Sequence, residues 1–68
     1  MNPEVVTIGL GYIGLPTSAL IASKSTQVLG VDINQKVVDT VNDGKIHIVE
    51  PDLDIIVSKA VNDGFFKA

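Results

Sequence analysis

Cysteine is absent from this chain, and histidine occurs once, at position 47. No disulfide can staple the fold, and a lone histidine does not build a metal site. Arginine is absent too. The five basic residues (Lys24, Lys36, Lys45, Lys59 and Lys67) are scattered along a chain of net charge −3. Nucleic-acid binding needs a concentrated basic face and is not expected. No apolar run approaches the roughly 20 residues of a membrane helix. The N-terminus also lacks the basic-then-apolar pattern of a signal peptide. A soluble, cytoplasmic protein without membrane contact is the expectation. Length is short as well: 68 residues is less than half of the roughly 150 that serve as a prior for one domain. A chain of this size buries only about 60% of the surface its unfolded form exposes. What the sequence does have is 46% hydrophobic residues, a content suited to buried parallel strands and opposed to disorder. An apolar chain without a staple reads as a truncated piece of something larger.

Val5-Val6-Thr7-Ile8 is short, β-branched and bounded by Gly9, which predicts a strand buried on both faces of a parallel sheet. Tyr12 to about Lys24 reads as a helix rich in Leu, Ile and Ala, with Pro16 tolerated only in its opening turn. Gln27 to Val31 predicts a second buried strand ending at Asp32. Asn34 can cap a helix running to about Asp43, with Val37, Val38 and Val41 on one stripe and Gly44 as terminator. Ile46 to Val49 is expected to be an irregular or briefly extended link. The last helix is expected to start with Pro51 at its first position, with Asp52 and Asp54 near the positive end of its dipole. Leu53, Ile56, Val57, Ala60 and Val61 then follow the i, i+3, i+4, i+7, i+8 spacing up to Gly64. Val-Asn-Asp-Gly occurs at 41–44 and again at 61–64, better explained by two similar helix endings than by a repeat. The order is β-α-β-α-loop-α. A right-handed crossover makes the two strands parallel, leaving a sheet edge and an apolar helix face to be covered by further chain or by a second copy.

Gly9-Leu10-Gly11-Tyr12-Ile13-Gly14 matches G-x-G-x-x-G. The pattern is weak alone, but here a strand precedes it, a helix follows, and an acid ends the next strand. Asp32 lies eighteen positions beyond Gly14, close to the roughly 20 that the dinucleotide fingerprint requires. Gly9 permits the tight turn, Gly11 lets backbone approach a pyrophosphate, and Gly14 lets the helix pack on the sheet. The free amides around Tyr12 and Ile13 open the helix and favour phosphate. Asp32 can accept hydrogen bonds from the adenosine ribose hydroxyls and would repel a 2′-phosphate, so NAD is expected rather than NADP. The packing-only reading of these glycines is weaker, because every context condition of the motif is met. Asn34 reads as a helix cap rather than a ribose ligand. Glu50 reads as a cap for the helix at Pro51, and His47 as a structural or solvent-facing group, since neither shows the partners an acid–base catalyst needs.

Gly-Leu-Gly-Tyr-Ile-Gly-Leu-Pro (9–16), Gly-Val-Asp-Ile-Asn (30–34) and Ile-His-Ile-Val-Glu-Pro-Asp-Leu-Asp (46–54) resemble the UDP-glucose/GDP-mannose dehydrogenase family over essentially the whole chain. The resemblance implies an α/β fold: the N-terminal β-α-β-α-α part of a Rossmann (doubly wound, parallel sheet) NAD-binding domain, incomplete. It implies NAD contacts at Gly9, Gly11, Tyr12, Ile13, Gly14 and Asp32. It implies an enzyme that oxidises the C6 alcohol of a UDP-sugar to a carboxylate in two NAD-dependent steps. Residues 46–54 point within the family to UDP-N-acetyl-D-mannosamine, converted to UDP-N-acetyl-D-mannosaminuronate for surface polysaccharide. The family's cysteine nucleophile, its assisting lysine and asparagine, its helical dimerisation segment and its sugar-binding part are expected beyond residue 68. Residues 1–68 then make a truncated dinucleotide-binding domain without catalytic or metal-binding residues, inactive alone, from a protein expected to be a homo-oligomer. Two other readings are a self-associating α/β piece without useful ligand binding, and the nucleotide-binding part of a different Rossmann oxidoreductase.

Overall fold

The computed structural model describes residues 2–68. Strand β1 spans Val5–Ile8 and strand β2 spans Val28–Val31; between them runs helix α1, Gly14–Ala22. Helix α2 (Gln35–Asn42), helix α3 (Leu53–Asn62) and a two-residue strand β3 (Phe66–Lys67) complete the chain. The sheet is parallel in the order β1-β2-β3. Its register pairs Val5 with Val28, Thr7 with Gly30 and Ile8 with Val31, and then Val28 with Phe66. The sheet therefore has one more strand than the two expected. Phe65 to Ala68 is too short to show an alternating pattern against a helix end.

Both crossovers advance in the same direction across the sheet. Right-handed connections must then lie on the same face, and all three helices cover one side. The consequence is visible along β1, where Val5 and Thr7 are half-buried while Val6 and Ile8 are exposed. The expectation of strands buried on both faces is corrected here: one face of the sheet carries Val6, Ile8 and Val31 in the open. The core lies between the sheet and α1 and α3, where Leu10, Leu15, Ala19, Val28, Val57 and Phe66 are buried and packed together. Each large side chain fully buried there contributes roughly 1.5–3 kcal/mol relative to exposure.

The helices follow their sequence signals with shifts at their starts. α1 begins at Gly14, not Tyr12, so Pro16 occupies its third position, where its missing N–H forfeits no intrahelical hydrogen bond. α2 is capped as expected: Asn34 Oδ1 accepts from the Lys36 N–H at 3.0 Å, and of the valine stripe Val41 is buried while Val37 and Val38 are half-buried. α3 begins at Leu53 rather than Pro51, because Asp52 takes a left-handed conformation (φ 64°) that the helix cannot include. Glu50 makes no side-chain cap there; its backbone carbonyl accepts from the Leu53 N–H at 3.2 Å. The two Val-Asn-Asp-Gly strings do end α2 and α3 alike, the N–H groups of Gly44 and Gly64 donating to Val41 and Val61. Among the described residues, no helix is long and apolar enough to cross a membrane.

Candidate functional site

The turn from β1 into α1 and the end of β2 meet at the C-terminal edge of the sheet, where open α/β sheets bind their ligands. Gly9 leaves β1 with φ +90°, a conformation that L side chains rarely adopt. The β1–β2 ladder nevertheless runs one step further, the Gly9 N–H donating to the Val31 carbonyl at 2.7 Å. Leu10 then turns inward and is fully buried. Its N–H donates to Asp32 Oδ2 at 2.9 Å, and the Asn34 N–H donates to Asp32 Oδ1 at 2.9 Å.

The three glycines of the motif are needed for different reasons. A Cβ built on Gly14 would fall inside the carbonyl group of Gly9, so helix and turn can approach only without a side chain. Gly9 has open space around it, and its backbone angle is the constraint. Gly11 has neither constraint: beyond its own chain neighbours no atom lies within 4 Å of a Cβ built there, and its φ is not in the positive region. The turn is thus open at the one motif glycine that neither packing nor backbone angle requires. A fourth glycine, which motif reasoning missed, is Gly30 on β2. A Cβ there would meet both Leu10 methyl carbons at 2.8 Å. Only its position two residues before Asp32 could have signalled it.

At the opening of α1, Leu15 N–H donates to the Gly11 carbonyl and Thr17 N–H to the Ile13 carbonyl. Among the described residues, the N–H groups of Tyr12, Ile13 and Gly14 form no backbone hydrogen bond. No side-chain cap serves this helix start either. These orphan donors sit at the positive end of the helix dipole. The side chains of Tyr12 and Ile13 are mostly exposed. Beside them, Ile8, Gly9, Val31, Asp32 and Ile33 line a shallow depression of about 150 Å³. A larger depression of about 830 Å³, lined by Asn2, Gln27, Asn42 and Phe66 among others, lies away from the glycine turn and contains none of these groups.

Asp32 is the anion of the site. The backbone N–H of Asn34, and next that of Leu10, hold its carboxyl below the usual value; partial burial opposes this, and His47 nearby assists. Each carboxylate oxygen has about two acceptor positions, and one on each is taken, leaving one on each for an incoming hydroxyl. His47 itself is exposed, on the bend after α2, and Glu50 is half-buried before α3. Gly9, Gly11, Tyr12, Ile13, Gly14 and Asp32 are thus brought together as one surface. It presents unpaired amides on one side and a carboxylate on the other.

Residues 3–68 match the model of the UDP-glucose/GDP-mannose dehydrogenase family, NAD binding domain. The UDP-N-acetyl-D-mannosamine dehydrogenase of Campylobacter jejuni is 65% identical over 65 residues, which are 96% of this chain and 16% of that protein. The NDP-N-acetyl-D-galactosaminuronic acid dehydrogenase of Ralstonia nicotianae is 58% identical over 94% of this chain and 15% of its own length. Among solved structures, a ternary complex of GDP-mannose dehydrogenase from Pseudomonas aeruginosa superimposes with a TM-score of 0.92 at 30% identity, over 94% of this chain and 15% of that one. The native UDP-N-acetyl-mannosamine dehydrogenase of Staphylococcus aureus gives 0.89 at 44% identity, over 93% and 15%. The chain thus spans about one sixth of the length of the curated relatives it matches.

Proposed function

This chain belongs to the UDP-glucose/GDP-mannose dehydrogenase family, within its NAD-binding domain, and from that premise we propose that Gly9, Gly11, Tyr12, Ile13, Gly14 and Asp32 hold the pyrophosphate and adenosine ribose of NAD. The observation that carries the proposal is Gly11. Neither backbone angle nor packing demands glycine there, so close approach of a ligand is the remaining reason for it. The amides of Tyr12, Ile13 and Gly14 supply donors to the phosphates, strengthened by the helix dipole. Asp32 supplies the two remaining acceptor positions to ribose hydroxyls and repels a 2′-phosphate. NAD, when bound, supplies the hydride acceptor for the oxidation.

We further propose the parent activity: oxidation of the C6 alcohol of UDP-N-acetyl-D-mannosamine to the acid, within an oligomeric enzyme. The high identity to a relative of that name supports this sugar, and the galactosaminuronic acid dehydrogenase is the competing assignment. These 68 residues contain no cysteine, so the covalent step of such a reaction, if it uses a thiol, is not theirs. The chain alone is expected to bind NAD without turning over a sugar nucleotide.

The test is a calorimetric titration of the chain with NAD, alongside Gly11→Ala. The expected result is binding to the wild type, weakened about tenfold or more by the methyl group, with an unchanged melting temperature of the free protein. Equal binding by both proteins, or none by the wild type, would remove this assignment of the turn.

A further inference from the structure

Residues 30–32 of β2 and the loop just after it grip the glycine turn at successive points. Gly30 receives the Leu10 side chain over its bare Cα. Val31 accepts the Gly9 N–H through its carbonyl. Asp32 accepts the Leu10 N–H through its carboxylate, across 22 positions of sequence. This last bond is the unusual one. Once Gly9 adopts φ +90°, the next amide points away from the regular ladder, and no strand carbonyl meets it. A buried amide left without an acceptor is costly, and the carboxylate fills that place. The other oxygen of the same group accepts the Asn34 N–H, which sets the rotation of the carboxylate and ties it to the start of α2.

We propose that Asp32 is a positioning residue for the phosphate-binding turn as well as the ribose acceptor, so that the choice of dinucleotide and the shape of the turn are set by one side chain. The second half of this statement rests on the NAD assignment above; the first half does not. The two roles use different acceptor positions of the carboxylate, so they coexist rather than compete. A consequence follows for cofactor preference. Replacing the acid by a small neutral residue removes the repulsion of a 2′-phosphate, yet it also releases Leu10 and loosens the turn that must receive the pyrophosphate. Charge removal alone therefore does not convert the site to NADP. Between two neutral replacements, asparagine keeps one acceptor oxygen for an amide, whereas serine is too short to reach Leu10.

The test compares the wild-type chain with Asp32→Asn and Asp32→Ser. Amide hydrogen exchange is followed at Leu10 without nucleotide, and NAD and NADP titrations are followed separately. Exchange at Leu10 is expected to accelerate about tenfold or more in Asp32→Ser and less in Asp32→Asn, while core amides of β2 and α3 keep their protection. Asp32→Asn is expected to bind NADP better than Asp32→Ser, whereas relief of repulsion alone favours the smaller serine or makes the two equal. Unchanged Leu10 exchange in both variants would overturn the positioning role. Collapse of the whole fold in both would overturn its local character. Loosened Leu10 together with serine binding NADP as well as asparagine would overturn the coupling to cofactor choice. A wild type that ignores NAD but shows the graded Leu10 effect would sink the cofactor reading and its coupling, leaving the anchor of the turn established.

Discussion

At Gly14 one methyl group decides whether the turn and the helix can share their space. A Cβ would overlap the Gly9 carbonyl, which is backbone and cannot swing aside. Gly14→Ala is therefore expected to cost about 3 kcal/mol or more, at the upper end of overpacking, measured by urea denaturation. Gly30→Ala meets a side chain instead. Leu10 is fully buried and must shift, so about 1–3 kcal/mol is expected. Asp32 is expected to carry acid sensitivity. Its carboxyl lies below the ordinary value of 3.8 because the Asn34 and then the Leu10 amides bond the charged form. A carboxyl depressed in the folded state stabilises it above the unfolded value, and that contribution disappears as pH falls through the folded one. Urea midpoints of the wild type are expected to hold from pH 7 to about 4 and then to fall. In Asp32→Asn the neutral-pH midpoint is expected to be lower and that acid decline shallower; equal slopes would show that other carboxylates carry it. The fingerprint residues were legible in the sequence because their spacing is local. The Leu10–Asp32 bond was not, since nothing in the chain announces which amide a distant carboxylate will meet. Gly30 escaped for the same reason, its task being defined by a side chain twenty positions away.

Helix interiors followed apolar spacing faithfully, and helix starts did not. In α3 the stripe of Leu53, Val57 and Ala60 is buried as its periodicity requires. Pro51, however, belongs to a turn whose next residue is left-handed, and a side-chain pattern does not report backbone handedness. The shift at α1 comes without a left-handed residue: Tyr12 and Ile13 stay in the turn before Gly14, Ile13 with right-handed backbone. β3 was invisible because two residues carry no period; it is recognised only once β2 offers an edge and Phe66 finds the core. Asn34 is the start signal that did declare itself, through a capping side chain before a valine stripe. The Asn34 Oδ1 bond to the Lys36 amide is exposed, so its removal tests the cap with little disturbance of packing. Asn34→Ala is expected to lower stability by about 1 kcal/mol, with the loss of exchange protection concentrated in the first turn of α2. Asn34→Asp or Asn34→Ser is expected to recover most of it, whereas a purely packing-based role would let neither do so.

At the scale of the molecule, the fold is one layer of helices on one sheet, and its two sheet faces are not equivalent. Val28 and Phe66 lie on the covered face, buried at 0% and 2% exposure. Val6 and Ile8 lie on the other, at 52% and 79%. The sequence made Val6, Ile8 and Val28 look alike, because a β-branched residue in a strand reads as buried whichever way it points. The handedness of the crossovers breaks the symmetry by sending every helix to one side. Substitutions should divide along that plane. Phe66→Ala empties a filled site and is expected to cost about 3–5 kcal/mol, as much as the single core of a chain this short usually supplies. Ile8→Thr keeps β-branching and removes apolar surface already in water, so its change in unfolding free energy is expected to stay within about 0.5 kcal/mol. Thermal and urea unfolding of the two variants side by side provide the measurement. A chain unfolded by Phe66→Ala and untouched by Ile8→Thr has its energetic core on the helix side alone. A comparable loss in both would mean that the open face is covered in solution, and the concentration dependence of the Ile8→Thr melting curve would reveal whether another copy of the chain covers it.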